Sequence, residues 1–156
     1  MVKIEDMTPK EMEILLERVG FGHLGCARDG RPYVLPMHYG YDSGNIYFFT
    51  TEGLKTEYIE KNPEVCIQVE EVENYSNWRS VVVVGRAERL TRSEDTEHAL
   101  QLITKRNPTL SPAINATRVD VWGRANTIAL YRIKPEVIDG RKTIPTESRH
   151  ETGLIT

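Results

Sequence analysis

The chain has 156 residues, 39% of them hydrophobic and 28% charged, and its formal net charge is -3. That length suits one domain with a single sizeable core, and the mildly negative balance gives no electrostatic footprint for nucleic acid or an anionic membrane. Two cysteines are too few for a secreted disulfide scaffold; with no apolar leader in MVKIEDMTPKEM and no run near the ~20 apolar residues of a membrane span, a cytoplasmic protein is expected.

The first element starts at Thr8. Thr8-Pro9-Lys10-Glu11 has capping-box spacing with proline at the first helical position. Met12, Leu15, Leu16 and Val19 follow at helical spacing until Gly20 stops the helix. The period then changes. Phe21 to Ala27 reads as a strand, and Arg28-Asp29-Gly30-Arg31 as a hairpin turn leading into Pro32 to Tyr41. A second turn, Asp42-Ser43-Gly44-Asn45, precedes a third strand from Ile46 to Thr51, rich in aromatic and β-branched residues.

Leu54 to Asn62 reads as a short helix that Asn62-Pro63 ends, because a residue before proline avoids helical angles. Val65, Ile67 and Val69 alternate on one face of a fourth strand, Val65 to Val72. After a polar loop, Ser80 to Leu90 is the strongest strand signal, with four consecutive valines from Val81 to Val84. Such a run suggests burial on both faces, by the core on one side and a partner subunit on the other. Ser93 is expected to cap a helix reaching Arg106, with Ala99, Leu102 and Ile103 on one side. A long loop from Asn107 to Asn126 carries Trp122. Thr127 to Ile138 is expected as the last strand, which places one domain over 1–138 and a polar tail over 139–156.

Six mostly antiparallel strands with peripheral helices make a mainly β protein, a closed or nearly closed barrel, since closure removes exposed sheet edges.

Three segments carry candidate chemistry. Thr50 and Thr51 end a strand, Gly53 turns, and Lys55 stands at a helix start, where free amides and an ammonium together favour an anion such as a phosphate. The alternatives are that Thr51 merely caps the helix and Lys55 is a solvated surface residue. Trp78-Arg79-Ser80 offers an arginine fork for a phosphate, a hydroxyl for a polar ligand edge and an indole to shield a planar ring; the alternative is an exposed loop with a tryptophan over the core. In Val34-Leu35-Pro36-Met37-His38-Tyr39 the proline cannot complete a ladder, so this strand is expected to be interrupted or to lie at an edge. Backbone groups not consumed there are able to bind the polar edge of a heterocycle, and His38 is the leading functional histidine.

A metal site from His23, Cys26, His38 and Cys66 is not expected. His23 and Cys26 are three apart in a strand and point to opposite faces. Neither cysteine has the surroundings of a nucleophile.

The ordered series Gly22-His23-Leu24-Gly25-Cys26, Arg31 to Tyr39, Asn45 to Thr50, Lys55, then Trp78-Arg79-Ser80 with Gly85-Arg86-Ala87-Glu88 resembles the flavin-binding split barrel of pyridoxamine-phosphate-oxidase-like proteins. The nitroimidazole-resistance-like branch is the most similar. The resemblance implies a six-stranded antiparallel split β-barrel of Greek-key type. It also implies a homodimer holding two flavin mononucleotides (FMN) at its subunit interface. It assigns Leu35, Pro36, Met37, His38 and Tyr39 to the isoalloxazine, Thr50, Thr51 and Lys55 to the phosphate, and Arg79 and Ser80 to phosphate or ring edge. Trp122 would close over the ring from the other subunit. His38 becomes a candidate proton donor or substrate contact.

The basic residues that dedicated pyridoxamine-phosphate oxidases carry near the C-terminus have no counterpart in the scattered Arg132, Arg141 and Arg149. The expectation is therefore an FMN-dependent oxidoreductase acting on a small molecule, with nitro-compound reduction a candidate activity. A haem-binding split barrel and a flavin-binding sensor module without turnover are the alternatives.

Overall fold

The computed structural model describes residues 2–51, 53–107 and 128–144. In chain order these form β1 (Lys3–Asp6), α1 (Pro9–Val19), β2 (Phe21–Arg28), β3 (Arg31–Asp42), β4 (Asn45–Thr51), α2 (Leu54–Lys61), β5 (Glu64–Asn74), β6 (Asn77–Arg89), α3 (Ser93–Arg106) and β7 (Ile128–Ile144).

The local signals act as their chemistry dictates. Thr8 Oγ1 accepts from the Glu11 amide at 3.2 Å, and Glu11 Oε1 accepts from the Thr8 amide at 2.8 Å, completing the capping box of α1. Gly20 ends that helix in the left-handed region at φ 76°. Both predicted hairpins are two-residue turns with consecutive positive φ values: 50° and 78° at Asp29-Gly30, 53° and 83° at Ser43-Gly44.

All strand pairings are antiparallel, in the order β1-β7-β4-β3-β2-β5-β6, with β6 returning to β7. That last pairing closes a ring of β7, β4, β3, β2, β5 and β6, a barrel consistent with the split-barrel architecture. The strand count is seven rather than six. The additional strand is β1, exposed throughout and held by its register with Arg141 to Ile144 of β7. Backbone pairing makes this strand, so its side-chain pattern carries no signal.

The last strand continues past Ile138 to Ile144, where a polar tail was expected. Its polar residues are strand because β6 pairs on one side and β1 on the other. Met7 and Met12 close over Gly140, and the Met7 amide donates to the Gly140 carbonyl at 2.9 Å. Residues 145–156 lie outside the described residues.

The valine run alternates: Val81 and Val83 are fully buried in the core, as expected for one face, whereas Val82 and Val84 on the other face are 36% and 38% exposed within the chain. One further expectation is corrected. Ser93 is the first residue of α3, not its cap; Arg92 holds the cap position with no side-chain bond.

The barrel interior holds Tyr39, Phe48 and Tyr131 among Leu24, Ile67, Val69, Val81, Val83 and Ile133. Phe48 and Tyr131 stack with centroids 5.3 Å apart. A second cluster, Tyr47, Leu90, Ala99, Leu100, Ile103 and Leu130, fastens α3 to the outside of β4 and β7.

Candidate functional site

The barrel opens between β3 and β4. These strands pair only from Tyr39↔Phe48 to Asp42↔Asn45. Beyond that point β3 stays with β2, down to Arg28↔Arg31, while β4, paired with β7 on its other edge from Ile46↔Ile133 onward, continues with β7 alone through Phe49, Thr50 and Thr51, opposite Leu130, Ala129 and Ile128. Over Arg31 to His38 the β4 side of β3 therefore has no strand neighbour among the described residues. Proline does not interrupt β3, which is continuous from Arg31 to Asp42. It is an edge over its first eight residues, on one side only.

A cleft of about 240 Å³ occupies this opening, lined by Leu35, Pro36, Met37, His38, Phe49, Thr50 and Thr51. The strand period decides what each residue supplies. Leu35, Met37 and Tyr39 are buried toward the core, while Pro36 and His38 stand on the outer side. The Tyr39 amide donates to the Gly20 carbonyl on the β2 side at 3.0 Å, so the alternation of an antiparallel strand turns Pro36 and His38 the other way, toward the cleft. They supply two carbonyls and the His38 amide, since proline has no N–H.

At one end of the cleft, the turn after Thr51 leads into α2. Gly53 caps α2 with φ 152°, a conformation that favours glycine. Thr56, not Thr51, closes this turn. Its hydroxyl donates to the Gly53 carbonyl at 2.7 Å and accepts from the Gly53 amide at 3.0 Å. Among the described residues no side chain caps the first turn of α2. Its leading amides keep their partial positive charge next to Thr50 and Thr51. The side chain of Lys55, and Trp122, lie outside the described residues.

At the other end stands His38. Its Nδ1 is 3.1 Å from Oδ1 of Asn107, and the Phe21 ring meets the imidazole edge-on at a centroid distance of 5.0 Å. Sequence reasoning missed Phe49 and Asn107. Phe49 is legible as the outward neighbour of Thr50 in an alternating strand. Asn107 carries no such signal, since it follows α3 and meets His38 across 69 positions of chain.

Trp78, Arg79 and Ser80 do not join this cleft in their own chain. Ser80 pairs with Arg141 of β7 and Thr50 with Ala129, positions twelve apart, about 40 Å of extended strand. Trp78 is fastened at the far end, its amide donating to Thr143 Oγ1 at 3.0 Å. Ser80 reaches the outer face of the sheet, where it accepts from Gln68 Nε2 at 2.9 Å. His23 lies exposed on that face and Cys26 is buried behind it, as their spacing requires.

That outer face carries an apolar row. Val34, Gly25, Cys66, Val84 and Val137 are successive cross-strand partners over β3, β2, β5, β6 and β7. Val34 is 66% and Val137 58% exposed. A neighbouring hollow of about 440 Å³, lined by Cys26, Pro32, Tyr33, Val34, Cys66 and Val84 among others, is almost wholly apolar.

A seven-stranded antiparallel split barrel with an apolar cleft at its opening and helix-terminal amides at one end defines the class: a split barrel with a candidate ligand cleft. Residues 8–142 match the family described as pyridoxamine 5'-phosphate oxidase, and the chain belongs to that family. Among solved structures, it is similar to a FAD-binding protein of Mesorhizobium loti, at 30% identity and a TM-score of 0.74 over 93% of this chain and all of that one. Its fold is also that of a candidate 5-nitroimidazole antibiotic resistance protein of Bacteroides thetaiotaomicron, at 20% identity and TM-score 0.70 over 92% of this chain and 89% of that one. An uncharacterized protein of Rhizobium meliloti is 30% identical over 92 residues, which span 59% of this chain and 61% of that protein. Among the described residues no helix is long and apolar enough to cross a membrane.

Proposed function

We propose that this chain binds FMN in the opening between β3 and β4, as a homodimer, and acts as a flavin-dependent oxidoreductase on a small molecule. The observation that carries the reading is the separation of β4 from β3 after Tyr39↔Phe48. It leaves the Pro36 and His38 carbonyls and the His38 amide of β3 in an apolar cleft, which suits the polar edge and flat faces of an isoalloxazine. Thr50, Thr51 and the uncapped start of α2, which includes Lys55, fit a phosphate at the far end. Flavin binding is supported by the name of the Mesorhizobium loti relative. When bound, the flavin supplies hydride or electron transfer, and the protein supplies orientation and shielding.

The homodimer has its own support. A cleft of about 240 Å³ falls below the ~300–1,000 Å³ of a complete small-molecule site. The exposed row from Val34 to Val137 adjoins it, since Pro36 and His38 continue the outer face of β3. A second copy on this face would cover the row and wall the cleft. Arg79 and Ser80, too distant for the cleft of their own chain, would then serve that of the second copy. We place the protein in the cytoplasm, a reading supported by two free thiols, Cys26 and Cys66.

The absorption spectrum of the purified protein, with identification of the released chromophore, tests the proposal. Flavin bands, release of FMN and a dimeric mass are expected. Lys55→Ala with Arg79→Ala should weaken FMN binding at least about tenfold without unfolding the chain, because two charge-assisted contacts are lost. A Soret band without flavin bands would overturn the reading in favour of haem. Bound flavin that no nicotinamide donor reduces, with no turnover of nitroaromatic probes, would leave a sensor module.

A further inference from the structure

The amide of Asn107 has its orientation set by its surroundings. Its Nδ2 lies 3.1 Å from the Ile103 carbonyl and 3.4 Å from the Tyr39 carbonyl. Both partners only accept, so Nδ2 donates to each, and Oδ1 faces Nδ1 of His38 at 3.1 Å. An amide oxygen only accepts. The proton on the imidazole must therefore sit on Nδ1, and in the neutral ring Nε2 carries the lone pair. Asn107 is held in turn by the fold. Its backbone amide donates to the Ile103 carbonyl at 2.9 Å as the C-cap of α3, and Gly20 at the end of α1 lies directly beside it. The Phe21 ring closes another side of the imidazole.

We propose that Asn107 is a positioning residue that fixes His38 in its Nδ1–H form and leaves Nε2 as a hydrogen-bond and proton acceptor for the ligand in the cleft. The role of that ligand rests on the function proposed above; the tautomer does not. The group recognised is an N–H or O–H of the bound molecule. In a proton transfer, the ligand's X–H bond breaks and Nε2–H forms, while the Nδ1–H bond to Asn107 Oδ1 remains and carries part of the imidazolium charge. His38 is thus a proton acceptor first and becomes a donor only after it has been protonated. This refines the role of proton donor that the family resemblance implies.

The test is nitrogen-15 NMR of the imidazoles in the purified full chain, under alkaline conditions where imidazoles are neutral. His38→Gln assigns the signals by difference. The expected spectrum shows His38 protonated at Nδ1 and bare at Nε2. Asn107→Ala removes the acceptor and should move His38 toward the Nε2–H form that prevails for a solvated imidazole. Asn107→Asp loses both side-chain donations but keeps an oxygen facing Nδ1, so it should restore the Nδ1–H pattern, which a purely structural role would not do. A wild-type His38 protonated at Nε2 overturns the proposal even if every variant fails to fold. So does an Asn107→Ala spectrum identical to wild type. Returning FMN to protein from which the bound flavin has been released should shift the Nε2 resonance more than that of Nδ1; a larger shift at Nδ1 overturns the proposal. If FMN moves neither signal while the tautomer stands, the flavin reading fails and the inference about Asn107 is upheld.

Discussion

The hydroxyl of Tyr39 donates to the carbonyl of Leu16 at 2.7 Å, both residues being almost wholly buried. This bond ties α1 to β3 at the point where β3 parts from β4. Burial pushes the phenol pKa far up from its ordinary value. Tyr39→Phe removes the bond and should cost about 1–2 kcal/mol in urea unfolding, at unchanged m-value. The same group sets an alkaline limb. Its folded pKa is raised, so its contribution is present below about pH 10 and is lost as pH rises further. Tyr39→Phe should flatten that limb, and an unchanged limb would refute the assignment.

At Gly40 the backbone of β3 comes close against α3. A methyl group there would stand 2.8 Å from Leu102 Cβ and 2.9 Å from its carbonyl carbon. Backbone on both sides leaves little room to yield, so Gly40→Ala should destabilise the chain by about 1–3 kcal/mol. The methyl group would also displace the C-terminal end of α3 and hence Asn107. Hydrogen exchange should report faster opening of Ala99 to Ile103.

The outer apolar row predicts a subunit interface that a single charge disrupts. Val84 is 38% exposed, so Val84→Glu costs the isolated chain little, about 0.5 kcal/mol or less. In a dimer it would bury an unpaired carboxylate. Sedimentation is expected to show a dimer for the wild type and a monomer for this variant, with weaker flavin retention. Cys66 gives a second reading. Its alkylation should slow as protein concentration rises, because dimerisation covers it. Cys26 should react slowly throughout, since burial and then neighbouring Cys66 push its thiol pKa up.

Two surface carboxylates shape the acid limb. The hydrogen bond from Lys142, with those of Thr8, holds Glu11 below the usual carboxylate range, and Arg132 does the same for Glu88. With folded pKa values depressed, the unfolded chain binds more protons in acid. The contribution is complete above about pH 4.5 and is lost as pH falls through the folded values. Glu11→Gln and Glu88→Gln should each flatten the loss of stability between about pH 5 and pH 3, followed by circular dichroism. Both groups are exposed, so the effect at neutral pH is small.

The chain's own pattern determined the local elements. A capping box at Thr8, left-handed glycines at 20, 30 and 44, and period-2 strands act over a few residues, and those residues are neighbours in sequence. The passage from Thr50 and Thr51 through Gly53 into α2 was legible for the same reason: these residues are contiguous in sequence. The tertiary structure decided what depends on pairing between distant segments. β1 and the end of β7 are strands because each is the other's partner, so neither shows an apolar period. The alternation within Val81 to Val84 needed the barrel's inside and outside to be defined, and only closure by β6 on β7 defines them. The edge of β3 was legible at Pro36, but its extent is set by where the β3–β4 pairing stops, at Tyr39↔Phe48, while β4 keeps β7 on its other edge, a divergence that strand composition does not reveal. The meeting of Asn107 with His38 likewise required α3 to pack on β3 through Gly40.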